Sequence, residues 1–202
     1  MSSKRWKERQ FSDPYVKRAQ KEGFVCRAAY KLMEIDDKFK LLRSGMTVVD
    51  LGAAPGGWCQ VASKRVGKQG RVIGMDLLPL KAPVSIDFIQ GDFREAAQFE
   101  ALMTMTGGQV DAVISDMSPN LTGHKSTDQV SVIALVEMAL DFAVKVLRSR
   151  GGFCAKVFQG AGFEELVKTM RPCFEQVKIF KPKSSRSESA EVYLVGVNFR
   201  AR

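Results

Sequence analysis

The chain predicts an α/β fold: a mostly parallel seven-stranded sheet with an antiparallel last strand and helices on both faces. Three observations lead there. From Thr47 onward, short apolar strand segments alternate with helix-length segments, the order that builds a parallel sheet through crossover helices. A run of small residues, Gly52-Ala53-Ala54-Pro55-Gly56-Gly57, follows the first strand directly. The last two strand segments, 174–180 and 190–199, are joined by too short a link for a crossover helix, so they pair antiparallel.

The elements follow in order. Ser12-Asp13-Pro14 starts a helix, with a capping side chain and then Pro at an early helical position; Gly23 ends it. A second helix spans 27–42, with Ala28, Leu32, Ile35, Phe39 and Leu42 at three- and four-residue spacing, and Gly45 closes it. The first strand is 47–51, followed by a helix over 58–66. The second strand, 71–76, ends in Asp76, and the third is 86–89. A helix covers 93–105 and a fourth strand 110–115. The longest helix, 127–147, is apolar at Ile133, Val136, Leu140, Val144 and Leu147 and is broken by Gly151-Gly152. A strand over 153–158, a helix over 163–170 and the two closing strands complete the series. Residues 181–189 form a basic, serine-rich loop.

With 202 residues, 45% of them hydrophobic, the chain has the size and apolar content of one globular domain, 1–202, and is short for two. Residues 1–44 read as a basic helical extension ahead of the alternating part. No apolar run reaches the roughly 18 residues that span a bilayer, and the polar, mixed-charge start is unlike a secretory leader, so a cytoplasmic protein without a membrane partner is expected, and a monomer. Cys26, Cys59, Cys154 and Cys173 share no C-x-x-C spacing and His124 is the only histidine, so no metal site is expected and the thiols are expected reduced. The net charge is +9, and residues 1–40 hold eleven Lys/Arg against six Asp/Glu. Such an excess fits a polyanionic partner, although charge alone also describes an ordinary solvated surface.

The small residues after the first strand, Gly52, Ala53, Pro55, Gly56 and Gly57, let the backbone pass close to a ligand where open α/β sheets bind them, outside the carboxyl ends of the strands. The spacing is neither the dinucleotide G-x-G-x-x-G nor a P-loop, since no Lys follows Gly57. A nucleoside with a small charged tail fits better than a phosphate. Asp76 is placed to accept hydrogen bonds from ribose hydroxyls, and Asp92, after the third strand, to meet an adenine edge, unless it only caps the next helix. Asp116 and Lys156 end the fourth and fifth strands on the same side.

These segments resemble the FtsJ-type ribosomal RNA 2′-O-methyltransferases. The resemblance is carried by Arg27-Ala28-Ala29-Tyr30-Lys31-Leu32, by Asp50-Leu51-Gly52-Ala53-Ala54-Pro55-Gly56-Gly57-Trp58, by Ser115-Asp116-Met117-Ser118-Pro119-Asn120, by Ala155-Lys156-Val157-Phe158-Gln159-Gly160 and by Lys183-Ser184-Ser185-Arg186-Ser187-Glu188-Ser189-Ala190-Glu191. It implies a Rossmann-like class I methyltransferase fold, S-adenosylmethionine as methyl donor, and RNA as substrate, a uridine of 23S-type rRNA in the 50S particle. It places the catalytic set on Lys31, Asp116, Lys156 and Glu191 and the cofactor contacts on Gly56, Trp58, Asp76, Asp92 and Asp116. Cys26 stands where that family usually has a small residue such as Ser.

Methyl transfer from a sulfonium to a ribose hydroxyl needs in-line alignment and a route for the proton. Lys156 serves either as general base, which requires its neutral form, or as a cation beside the developing oxyanion, with Asp116 orienting it. Lys31 and Glu191 position the ribose; on local grounds each is also readable as an ordinary surface charge, so the resemblance carries them. His124 and Lys125 sit in a loop over the site, either RNA-contacting or plain. Asp116-Met117-Ser118-Pro119-Asn120 lacks the aromatic of amino-methylating turns, which disfavours base methylation. RNA contacts are expected from Lys4, Arg5, Lys7, Arg9, Lys17, Arg18, Lys21 and Arg27, with Lys181, Lys183 and Arg186. The alternatives are a tRNA anticodon-loop 2′-O-methyltransferase, a non-catalytic ribosome-assembly factor and a nicotinamide-dependent oxidoreductase.

Overall fold

The computed structural model describes residues 13–119 and 122–201. Its strands are β1 (Thr47–Leu51), β2 (Arg71–Asp76), β3 (Asp87–Gln90), β4 (Val110–Ser115), β5 (Leu147–Phe158), β6 (Phe174–Phe180) and β7 (Glu191–Phe199). Its helices are α1 (Pro14–Glu22), α2 (Ala29–Phe39), α3 (Gly57–Val66), α4 (Ala96–Thr106), α5 (Lys125–Val146) and α6 (Phe163–Met170). Of the residues singled out from the sequence, Lys4, Arg5, Lys7, Arg9, Ser12, Asn120 and the side chain of Lys125 lie outside the described part.

The sheet runs β3-β2-β1-β4-β5-β7-β6. Pairing is parallel from β3 to β5 and antiparallel for β5–β7 and β7–β6. Strand side chains alternate between faces, and two cores result. Val49, Leu51, Val113, Phe153, Ala155, Val157, Val192 and Leu194 pack under α4, α5 and α6 with Leu102, Val136, Leu140 and Leu166. Val48, Ala112, Ile114, Cys154, Tyr193 and Val195 pack under α1, α2 and α3 with Ala19, Leu32, Ile35 and Val61. By the same alternation Asp50 and Lys156 belong to the α1–α3 face.

Four expectations are corrected. The second helix stops at Phe39 rather than Leu42: Lys40 turns left-handed (φ 55°) and its amide closes on the Asp36 carbonyl, while the Asp36 carboxylate accepts the Leu42 amide at 2.8 Å. The helix expected from residue 93 begins at Ala96, because the Asp92 side chain accepts the Arg94 amide at 2.9 Å and holds a turn there. Gly151-Gly152 do not break the long helix. It ends at Val146, Leu147 is already extended, and the glycines lie inside β5. There the register with β4 shifts, and a Cβ on Gly151 would meet the Arg148 and Asp111 carbonyls at 2.9 and 3.0 Å. Finally, Val144 is 42% exposed; the buried apolar face of α5 is Val132, Val136, Ala139, Leu140, Phe142, Ala143 and Val146.

Alternating patterns showed that the last two strands pair, not where they insert. β7 lies between β5 and β6, so Phe158, at the end of β5, faces Glu191, at the start of β7, and Lys156 faces Tyr193. That register delivers two residues of the chain's last strand to the edge where the parallel strands end.

Candidate active site

At the carboxyl ends of β1, β2 and β4, roofed by α5, lies a cavity of about 460 Å³, within the roughly 300–1,000 Å³ typical of small-molecule sites. Gly52, Asp76 and Asp92 line it, with Leu77, Arg94, Met117, Ser131 and Met138. The strand order reverses here, since β1 has β2 on one side and β4 on the other, which is the crevice position of open α/β sheets.

The glycine turn is shaped by close approach. Gly52 adopts φ +80°, and a Cβ on it would come within 2.8 Å of the Met117 amide nitrogen. Gly56 adopts φ +113°, and a Cβ there would stand 2.4 Å from the Ala82 side chain. Asp76 holds the turn from the next strand: Oδ2 accepts the Ala54 amide at 2.9 Å and Oδ1 the Leu78 amide at 2.8 Å. Asp92 is saturated by one neighbour, accepting both the backbone amide and the guanidinium of Arg94, which hold its carboxyl below the ordinary range.

Ala53, Pro55, Gly56, Gly57 and Trp58 do not line this cavity. The Trp58 ring is buried on the α1–α3 face, 5.7 Å from the Tyr193 ring, and its indole N–H donates to the Ala28 carbonyl at 2.9 Å. It thus fastens α3 to the start of α2. Gly57 packs against the Cys26 sulfur, which a Cβ on it would meet at 2.4 Å.

A second cluster lies on the α1–α3 face. Lys156 is 8% exposed; its Nζ donates to the Asp116 carbonyl at 2.7 Å and stands 3.2 Å from Asp116 Oδ1. Tyr193 donates its hydroxyl to the same Oδ1 at 2.8 Å. Burial pushes the Asp116 carboxyl up, but the charges of Lys156 and Lys31 and the bonds from Tyr193 and Lys156 outweigh it and leave it below its ordinary value. Lys31, from α2, meets Glu191 Oε1 at 2.7 Å, and its Nζ is 5.8 Å from the Tyr193 ring centre. The four residues named from the sequence therefore form two ion pairs flanking one tyrosine.

Sequence reasoning passed over several groups. Tyr193 was read only as a strand residue, because nothing local distinguishes it from a core aromatic. Ser185 donates to Glu191 Oε1 at 3.0 Å. Asp50 is fully buried; Cys59 donates its S–H to Oδ2 at 3.0 Å, and Oδ1 has no protein partner. Burial, with a smaller contribution from the Asp116 and Asp76 charges, pushes its carboxyl up to about 7. An acid inside Val48-Val49-Asp50-Leu51 was the available signal.

The basic surface is partly committed to structure. Arg27 pairs with Asp13 and also donates to the Ser184 carbonyl, Arg186 lies 3.7 Å from Asp13, and Arg18 pairs with Glu22. Lys17, Lys21 and Lys183 are exposed. His124 caps α5 and is exposed, and the preceding Thr122 and Gly123 are held by the Asp128 carboxylate.

A methyltransferase family model, described as FtsJ-like methyltransferase, matches residues 24–199. The chain belongs to the FtsJ-like methyltransferase family. The Acinetobacter baumannii protein named ribosomal RNA large subunit methyltransferase E is 55% identical over 196 residues, covering 96% of this chain and 91% of its own length. The Cellvibrio japonicus protein of the same name is 51% identical, covering 98% and 94%. A crystal structure of a ribosomal RNA methyltransferase from Plasmodium falciparum superposes with a TM-score of 0.78 at 28% identity, covering 89% of this chain and all of that one. As an FtsJ-like methyltransferase the chain is an enzyme whose methyl donor is S-adenosylmethionine. The cradle fits that molecule: two glycines whose Cβ positions are already taken by neighbouring atoms, a turn tied by Asp76, and carboxylates at the ends of successive strands.

Proposed function

We propose that this FtsJ-like methyltransferase methylates the ribose 2′-hydroxyl of a uridine in large-subunit, 23S-type rRNA, with the 50S particle as substrate and Lys31, Asp116, Lys156 and Glu191 as its catalytic set. The observation that carries the reading is the buried Lys156–Asp116 pair beside the Lys31–Glu191 pair, with Asp116 directly preceding Met117 of the cavity lining. The identity of relatives named for the large ribosomal subunit supports the choice of RNA.

Gly52 and Asp76, with Asp92 once Arg94 swings aside, would hold S-adenosylmethionine, which supplies an electrophilic methyl group on a positively charged sulfur. With it bound, transfer would need the ribose 2′-oxygen held in line with that methyl group and relieved of its proton, the tasks that fall to Lys156 and its partners. Two positions on Nζ are taken by Asp116, and the remaining one is left for the substrate oxygen. A neutral Lys156 would take the hydroxyl proton there; an ammonium would instead support the developing oxyanion, and the proton would leave to bulk water. Asp116 stays ionised and fixes Nζ in either case. Lys31, held by Glu191, places a second positive charge beside the ribose. Exposed Lys17, Lys21 and Lys183 meet phosphates, giving binding that weakens steeply with salt.

The test is transfer of labelled methyl groups to undermethylated 50S particles and to tRNA, with mapping of the modified ribose. Methylation of 50S particles by the wild-type chain, and its loss in Lys156→Ala with cofactor affinity retained, is the expected result. Transfer to tRNA alone, or full activity of Lys156→Ala, overturns it.

A further inference from the structure

Lys31 and Glu191 come from opposite ends of the chain. Lys31 is on α2, packed against the sheet through Leu32 and Ile35; Glu191 opens β7, directly after the 181–189 loop. Nothing in the sheet itself sets how far that loop stands from α2. One residue does. Glu34, one turn beyond Lys31 and therefore on the same face of α2, accepts the Lys183 amide on Oε2 at 2.5 Å and the Ser184 amide on Oε1 at 2.9 Å. Two successive backbone amides closing on one carboxylate make an anion-binding concavity, here filled by the protein's own side chain. The Ser184 carbonyl is held from the other side by Arg27, which Asp13 anchors in turn. Ser184 is completely buried. The next residue, Ser185, reaches the carboxylate oxygen that Lys31 occupies.

We propose that Glu34 is a positioning residue for methyl transfer: by accepting the Lys183 and Ser184 amides it seats the basic loop on α2 and, through Ser185, sets Glu191 against Lys31. This rests on the reading of Lys31 and Glu191 as part of the site. Glu34 touches neither RNA nor cofactor; its effect passes through the Lys31–Glu191 pair. The seat also fixes which loop residues face outward: Lys183 and Arg186 remain exposed while their backbone is pinned.

The test uses the full-length chain with Glu34→Ala, Glu34→Gln, Ser185→Ala, Lys31→Ala and the Glu34→Ala/Lys31→Ala pair. Turnover is measured on whichever RNA takes the methyl group, and S-adenosylmethionine affinity by calorimetry. Residues acting as one unit give non-additive losses. Glu34→Ala is expected to lower kcat about tenfold with cofactor affinity unchanged, and Glu34→Gln, which keeps one acceptor, to recover to within about threefold of wild type. Ser185→Ala is expected to fall in between. In the Lys31→Ala background, Glu34→Ala is expected to cost less than about twofold further. Equal additive losses in the double variant, wild-type kcat in Glu34→Ala, or a parallel fall in cofactor affinity overturns the proposal. If Lys156→Ala is inactive while the Glu34 and Lys31 losses add, only the clamp fails. If methyl groups go to tRNA alone, the substrate reading fails, and the clamp is still decided by the double variant.

Discussion

Tyr193 and Lys156 converge on one oxygen of Asp116, the tyrosine hydroxyl at 2.8 Å and the amine at 3.2 Å. The two residues face each other across the β5–β7 ladder, and Asp116 follows Ser115, which pairs with Ala155. Three neighbouring strands thus each place one member of this triplet.

Removing the tyrosine hydroxyl tests that convergence. A hydrogen bond to a buried carboxylate contributes about 1.5–3 kcal/mol, so Tyr193→Phe is expected to lower stability by about 2 kcal/mol. One of the interactions that depress the Asp116 carboxyl also disappears, so its folded pKa rises. Stability that Asp116 contributes above its unfolded pKa is then lost at a higher pH on acidification. The acid limb of the activity profile is expected to move upward in pH, and turnover to fall less than in Lys156→Ala. Denaturant titration and a pH–rate profile check both.

Asp50 acts in the opposite sense. Its carboxyl is pushed up to about 7 by burial, against about 3.9 in an unfolded chain. The native state therefore holds the proton more tightly, and the associated stability is present below about pH 4 and lost as pH rises through 7. Each pH unit in that window corresponds to about 1.4 kcal/mol. The stability of Asp50→Asn relative to wild type is expected to improve by about 2–3 kcal/mol between pH 5 and pH 8, read from denaturant midpoints. A flat difference across that range would show that Asp50 is already ionised in the fold.

Gly52→Ala should separate cofactor binding from folding. The left-handed conformation costs a non-glycine residue about 1–2 kcal/mol, and the new methyl group must displace Met117, which lines the same cavity. A loss of S-adenosylmethionine affinity of about tenfold or more is expected by calorimetry, with far-UV circular dichroism unchanged.

Arg27 and Lys21 carry the same charge but are expected to fail differently. Arg27 bridges Asp13 and Ser184 with its side chain 16% exposed, so Arg27→Ala should lower the melting temperature before RNA binding is considered. Lys21 is exposed on α1, and Lys21→Ala should leave the melting temperature unchanged while reducing the slope of log affinity against log salt by about 0.9 if it meets one phosphate.

The contrast between these two residues shows what the sequence made legible. Strand segments such as 47–51, 71–76 and 110–115 were readable to the residue, because a continuous apolar run bounded by turn signals leaves little freedom. Asp116 and Lys156 were readable as a pair because Asp116 directly follows one such strand and Lys156 lies two residues before the end of the next in sequence. Lys31 and Glu191 were not readable locally. Their meeting depends on β7 inserting beside β5 and on the loop's docking to α2, both long-range facts with no periodic signature. Arg27 counted as a free basic residue for the same reason: its partner Asp13 is fourteen positions away and the Ser184 carbonyl 157. Trp58 looked like part of a ligand cradle because it adjoins the glycine turn, whereas helical geometry carries its ring to the opposite side.

The placement of β7 has a consequence for how this enzyme comes into being. β6 pairs only with β7, and Lys156 and Asp116 lack their tyrosine until β7 is laid down. A chain interrupted during synthesis between residues 180 and 191 would carry the complete glycine turn, Asp116 and Lys156, yet its sheet would be open at β5 and its β6 orphaned. Nascent or prematurely terminated products are thus expected to be aggregation-prone edges rather than weakly active enzymes, and activity should switch on in one step as the final strand zips into the interior.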